Sequence, residues 1–241
     1  MDSSIKGLMA KLRLLNEEIT ILDDSSVLTT GTNGVRFIHA EGERVYKSDF
    51  YKSITPYPEY RVSKLESLKK ETNNNGVIDY TGVEKIAPIY RSIQIVDRFI
   101  IAKLDSPVFL MDTQCNMLVP TIHKDCRNAW KYENGTCIFT MTTNDRHGET
   151  IYSIDGNNKA KQLFEDKEVL ILAVTENEII IAYNTNLSET DRFITYDVKS
   201  DSYSNELTDK IDQFSTGHDT IELYLKDGSV TEFKTIKSIL K

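Results

Sequence analysis

The chain has 241 residues, of which 27% are charged and 39% apolar, and it carries a net charge of −8. Twelve tyrosines, nine phenylalanines and many isoleucines and valines supply enough core to exclude a disordered chain. The acidic balance, with no basic stripe interleaved with aromatics, argues against a dedicated nucleic-acid patch or an anionic-membrane partner.

Met1-Asp2-Ser3-Ser4 lacks a basic leader, and the apolar stretch after it is broken by Lys6, Lys11 and Arg13. No signal peptide is read, and a cytoplasmic or virion-associated location is expected. Residues 4–15 fit an amphipathic helix. Ser3 or Ser4 can cap it, and Ile5, Leu8, Met9, Leu12 and Leu15 fall on one face at helical spacing. Residues 1–16 are therefore expected to dock on a partner protein, ahead of a β-repeat domain over 17–241.

From Glu18 the pattern changes to short strands. Ile19-Thr20-Ile21-Leu22, Val27-Leu28-Thr29, Val35-Arg36-Phe37-Ile38 and Arg44-Val45-Tyr46 are separated by Asp, Asn and Gly, residues that suit tight turns. Residues 49–88 break this rhythm. Pro56 and Pro58, with Tyr51, Tyr57 and Tyr60 close by, predict an irregular loop. Val62, Leu65 and Leu68 then predict a short helix over Val62–Thr72, ended by Asn73-Asn74-Asn75-Gly76. So long an insertion suggests a binding or assembly segment, with the three tyrosines as its contacts.

After Pro88 the strands return in sets of four, and a shorter set closes the chain. Asp112, Asp155, Asp197 and Asp227 each follow an apolar run, and the first three lie 43 and 42 residues apart. That step resembles the period of β-propeller repeats, over about residues 89–235 and 18–48. The Trp-Asp and Gly-His signatures of WD40 blades and the double glycines of kelch blades are absent, so the resemblance implies an architecture and no particular function. The fold class expected is all-β, built from four-stranded antiparallel units, with a β-sandwich as the alternative.

Arg146-His147-Gly148 resembles the phosphate-binding motif of the histidine phosphatases. There it would imply a nucleophilic imidazole in a cationic pocket, with His218 as a second histidine and Glu149 beside it. That family is α/β and carries the motif near its N-terminus, whereas here it falls in a loop between two β runs. Cys115, Cys126 and Cys137 are evenly spaced and lack the close pairs of a zinc site, even with His123 near Cys126. No cofactor or metal is expected. The leading expectation is a non-enzymatic scaffold that binds other proteins, as a subunit of an assembly such as a virion or phage tail. A hydrolase using the His147 loop, or dispersed acids, is the second. A carbohydrate- or ligand-binding β domain is the third.

Overall fold

Apolar runs bounded by Asp, Asn and Gly can pair only with the next run along the chain when the connecting turn is tight. In the computed structural model nearly every run does so. The structure describes residues 6–7, 9–10, 17–23, 25–41, 44–68, 74–143, 149–163, 169–183, 192–204, 211–217 and 219–240. The chain divides into two compact units, Met1–Met117 and Leu118–Lys241.

The first unit holds three antiparallel meanders. One is β1 (Glu18–Ile21), β2 (Ser26–Gly31), β3 (Gly34–Glu41) and β4 (Arg44–Lys47). The next is β5 (Ser53–Tyr57), β6 (Val62–Glu66), β7 (Asn75–Asp79) and β8 (Glu84–Tyr90). The third is β9 (Ser92–Val96), β10 (Phe99–Lys103) and β11 (Val108–Asp112), with Met117 bridging to Met111 where a fourth strand would lie.

The second unit repeats the plan. Its first meander is β12 (His123–Lys131), β13 (Cys137–Thr143), β14 (Glu149–Ile154) and β15 (Ala160–Leu163). Its second is β16 (Val169–Val174), β17 (Glu178–Tyr183), β18 (Arg192–Asp197) and β19 (Ser202–Ser204), joined to the first by the pair Glu149 and Val169. The last is β20 (Ile211–Thr216), β21 (Thr220–Leu225) and β22 (Val230–Lys234).

The structure corrects the sequence expectations for residues 49–88. The described residues of 49–88 belong to a meander, β5 to β8, with register shifts between β7 and β8, and Val62–Glu66 is a strand instead of a helix; 69–72 of the predicted helix lie outside the described residues. Spacing of three residues suits one face of a helix, yet on a strand it places the two residues on opposite faces. Val62 packs toward β9 to β11, and Leu65 packs toward β2 and β3. Of the predicted N-terminal helix only Lys6, Gly7, Met9 and Ala10 are described, with helical backbone. The remaining residues of 4–15 lie outside the described ones. After β11, Met117–Ile122 pairs only at Met117.

Burial on both faces explains why the central strands read as continuous apolar runs. Val77 and Ile78, adjacent on β7, are both 0% exposed. Val77 joins a cluster with Ile93, Ile95, Ile100 and Met111, while Ile78 joins Leu28, Phe37, Ile54 and Leu65. In the second unit Ile179 and Ile180 part in the same way. Ile179 packs with Trp130, Ile138 and Ile151, and Ile180 with Phe193, Ile221 and Leu223. Each such side chain contributes about 1.5–3 kcal/mol by leaving water. The far face of β2 and β3, formed by Val27, Ile38 and Ala40, is covered by Met9.

The recurring acids close the hairpins. At Asp79, Asp112 and Asp155 the amide donates to the carbonyl four residues on, at 2.9, 3.0 and 3.1 Å. The amides of Gly82, Cys115 and Asn158 donate back to the acids' carbonyls, and these three residues have φ of 79°, 68° and 64°. Each acid's Oδ1 also accepts two amides inside the turn, among them Gln114 and Asn116 on Asp112, both at 2.9 Å. The side chain thus fixes a turn that needs a left-handed residue at its fourth position.

Ile179→Ala and Ile180→Ala should each lower stability by about 2–5 kcal/mol in urea unfolding, since each empties a separate core. A sheet with one solvated face would show a large cost for only one of the two. Asp112→Ala should cost about 2–3 kcal/mol and Asp112→Asn markedly less, because the amide keeps the acceptor.

Candidate functional site

The Asp145-Arg146-His147 loop and His218 lie outside the described residues. Glu149 is described. It sits on β14 with its carboxyl at 11% exposure, and the guanidinium of Arg127 on β12 is 3.9 Å away. Burial raises its carboxyl above the ordinary range, and Arg127 opposes that shift. On the same sheet His123 is fully buried. Its Nε2 lies 3.0 Å from the Tyr152 hydroxyl, and its Nδ1 has no partner. Burial holds this imidazole below its usual pKa, so it stays neutral near pH 7.

Cys115, Cys126 and Cys137 form no disulfide. Burial pushes the Cys126 thiol up to about 12, with the charge of Asp125 adding to it. Cys115 is raised as well, chiefly by burial. Both are therefore poor nucleophiles at neutral pH. Among the described residues no three His, Cys, Asp or Glu side chains converge as a metal site, and no helix is long and apolar enough to cross a membrane.

Tyr51, Tyr57 and Tyr60 do not form one binding cluster. Tyr51 is buried against Phe37 and Leu65, and its hydroxyl reaches Glu84 at 3.5 Å. Burial pushes its phenol up to about 12, with Glu84 and Asp49 contributing. Tyr57 and Tyr60 pack instead on the core between β6–β8 and β9–β11. Tyr51 is buried, whereas Tyr57 and Tyr60 are half-buried. Met9, expected on a docking face, is buried within its own unit, and Ile5, Leu8, Leu12 and Leu15 lie outside the described residues.

What the sequence did not single out is an open recess of about 460 Å³ in the first unit, lined by Asp23, Ser25, His39, Pro58, Arg61 and Tyr80. Turns of two successive meanders build it. After β1 the Leu22 amide donates to Ser26 at 2.9 Å, and Asp23 Oδ1 accepts the Ser25 amide at 2.7 Å. His39 on β3 faces Ser26 across the ladder, with Nδ1 2.9 Å from the Ser26 hydroxyl, and its ring stacks on Tyr46 of β4.

The opposite wall comes from the second meander. A single 3-10 turn, Pro58–Tyr60, ends at Arg61, which adopts a left-handed conformation (φ 54°, ψ 37°) and donates its amide to Pro58 at 3.1 Å. Tyr80 follows Asp79, whose carboxylate fixes that turn through Thr81 and Val83. The Tyr80 ring meets Phe37 edge-on at 5.4 Å. Its hydroxyl is buried without a hydrogen-bond partner. Burial raises the phenol's pKa, the charges of Asp23 and Glu59 raise it further, and Arg61 opposes them. Only Tyr51, Tyr57 and Tyr60 had drawn notice in the sequence, and no motif marks Tyr80 or Arg61.

The fold and this recess define an all-β repeat protein with an open polar recess in its first unit. No protein-family model matches the chain, and no curated protein is similar to it in sequence. Solved structures with a likeness include an acylaminoacyl peptidase in complex with Z-Gly-Gly-Phe-chloromethyl ketone (14% identity, 91% of this chain, 46% of that one, TM-score 0.30). They also include TolB from Acinetobacter baumannii (12%, 91% and 66%, TM-score 0.33). A third is the β-propeller domain of the Trilobed protease from Pyrococcus furiosus (13%, 90% and 80%, TM-score 0.30). The chain spans about half of the peptidase and about two thirds of TolB. At these TM-scores the likenesses carry no argument about function.

Protonating His123 in the fold is opposed by its burial, so the unfolded chain takes up that proton first. Stability should therefore fall as pH drops below about 6.5, the unfolded value, until the folded imidazole itself titrates. His123→Gln should remove this component from the difference between urea midpoints at pH 7 and pH 5.5. An unchanged difference would mean that His123 titrates normally.

Proposed function

We propose that the chain is a non-enzymatic, propeller-type β scaffold that binds other proteins as a subunit of a larger assembly. The observation that carries this reading is a recurrence on the outer strands. In five of the six meanders the outermost pairing segment bears a large apolar side chain that is 39% to 56% exposed: Val45 on β4, Ile89 on β8, Met117, Tyr203 on β19 and Val230 on β22. An isolated exposed apolar residue needs no explanation, but one on the last pairing segment of five of the six meanders is a recurring surface feature that a partner can cover.

Outer strands also offer unpaired backbone groups to a partner. Lys47, Lys85 and Lys234 lie on β4, β8 and β22, and such lysines discourage indiscriminate strand pairing. That combination suits a chosen partner better than self-aggregation. The recurring acids support the scaffold reading too, since they are engaged by their own turns. The propeller arrangement is inferred from the repeated four-strand meander and its period.

Native mass measurement of the protein purified from its source should find it in a stoichiometric complex. Val45→Asp combined with Ile89→Asp should release it while leaving its circular dichroism unchanged. A lone monomer from the native source would overturn the scaffold reading.

A further inference from the structure

The last meander stops at its third strand, whereas four of the six end in a fourth. Its outer strand, β22, is therefore a sheet edge. The Leu225 amide donates to Ser229 and the Thr235 amide to Asp219, each at 2.8 Å, which fixes the phase of the β21–β22 ladder. By the alternation of antiparallel pairing, Val230, Glu232 and Lys234 turn their backbone N–H and C=O groups away from β21. All three residues are exposed, and no described backbone group meets them on that side. Their side chains share one face, on which Glu232 lies directly opposite Glu222 and Val230 opposite Tyr224. Like charges directly opposed cost stability. Among the described residues neither Glu232 nor Lys234 has an ion-pair partner.

We propose that β22 pairs antiparallel with β22 of a second copy of this chain, across a two-fold axis. This pairing goes beyond the scaffold reading, which concerns other proteins, and rests on β22 alone. Only residues with outward backbone groups can exchange ladder bonds, so the register must set Val230, Glu232 and Lys234 against one another. Centring the axis on Phe233 places Glu232 against Lys234 of the second copy, twice over. Each such pair joins opposite charges on one face and exchanges two backbone hydrogen bonds, about four in all. Glu232 then has a cation on its open side to offset Glu222 on the other. Centring on Glu232 instead sets that carboxylate against its equivalent, and centring on Thr231 sets Val230 against Glu232. The charges thus select one register. Such a contact uses the same patch on both copies and closes on itself, so assembly ends at a dimer instead of a fibre. The short ladder makes that dimer weak and reversible.

Sedimentation velocity on the full chain, purified alone, tests this without any other partner. The wild type should shift from monomer toward dimer as its concentration rises to about 0.1 mM. Glu232→Lys sets lysine against lysine at both pairs and should weaken dimerisation about tenfold or more. Its Tm should be unchanged or raised, because residue 232 then meets Glu222 with opposite charge. Lys234→Glu should weaken dimerisation similarly, and it decides the matter if Glu232→Lys does not fold. The double variant, Glu232→Lys with Lys234→Glu, restores opposite charges and should dimerise within about threefold of the wild type. A wild-type chain that stays monomeric at about 0.1 mM would overturn the proposal. So would a dimer indifferent to both single reversals, or a double variant no better than the singles. A chain that is monomeric alone yet purifies from its source in a complex sinks the β22 dimer and leaves the scaffold reading standing.

Discussion

A β-strand points successive side chains to opposite faces, and in this protein the inner strands bury both. Everything else follows from that constraint. A meander with two apolar faces cannot stand alone in water, so each needs a neighbour on either side. Val77 and Ile78 show the arrangement in the first unit, and Ile179 and Ile180 in the second. The same constraint leaves the outer strands and the turns as the places where side chains reach solvent, and the recess lies among turns and strand ends.

Much of the strand pattern was legible because the turns are. Asp112, Asp155 and their equivalents stand out in the sequence as acids after apolar runs, and each accepts amides in its own hairpin. Their recurrence reflects a local mechanism, which is why it predicted the units after Pro88. The meander over 49–88 was missed for a physical reason. Two-faced burial spaces apolar residues irregularly, and in Val62–Glu66 that spacing imitates a helix. Pro56 adds to the disguise, although it lies within β5, the first strand of its sheet, where a missing amide is tolerated.

The recess was not legible at all. Its residues come from the β1–β2 turn, from β3, from a 3-10 turn and from the turn after β7, and are scattered from Asp23 to Tyr80. No spacing rule links them, because three-dimensional stacking of two meanders brings them together. The sequence instead drew attention to Tyr51, Tyr57 and Tyr60, since a local cluster of aromatics is conspicuous. Those side chains are taken up by two separate cores.

Face-to-face stacking also bears on how such a chain can change over time. A meander meets the next through one apolar face and a short connector, as between β8 at Tyr90 and β9 at Ser92. Duplicating or losing one whole meander therefore exchanges one matched face for another and leaves the remaining hairpins intact. Variation of this kind preserves the body, because the hairpins of each meander are closed by their own turns.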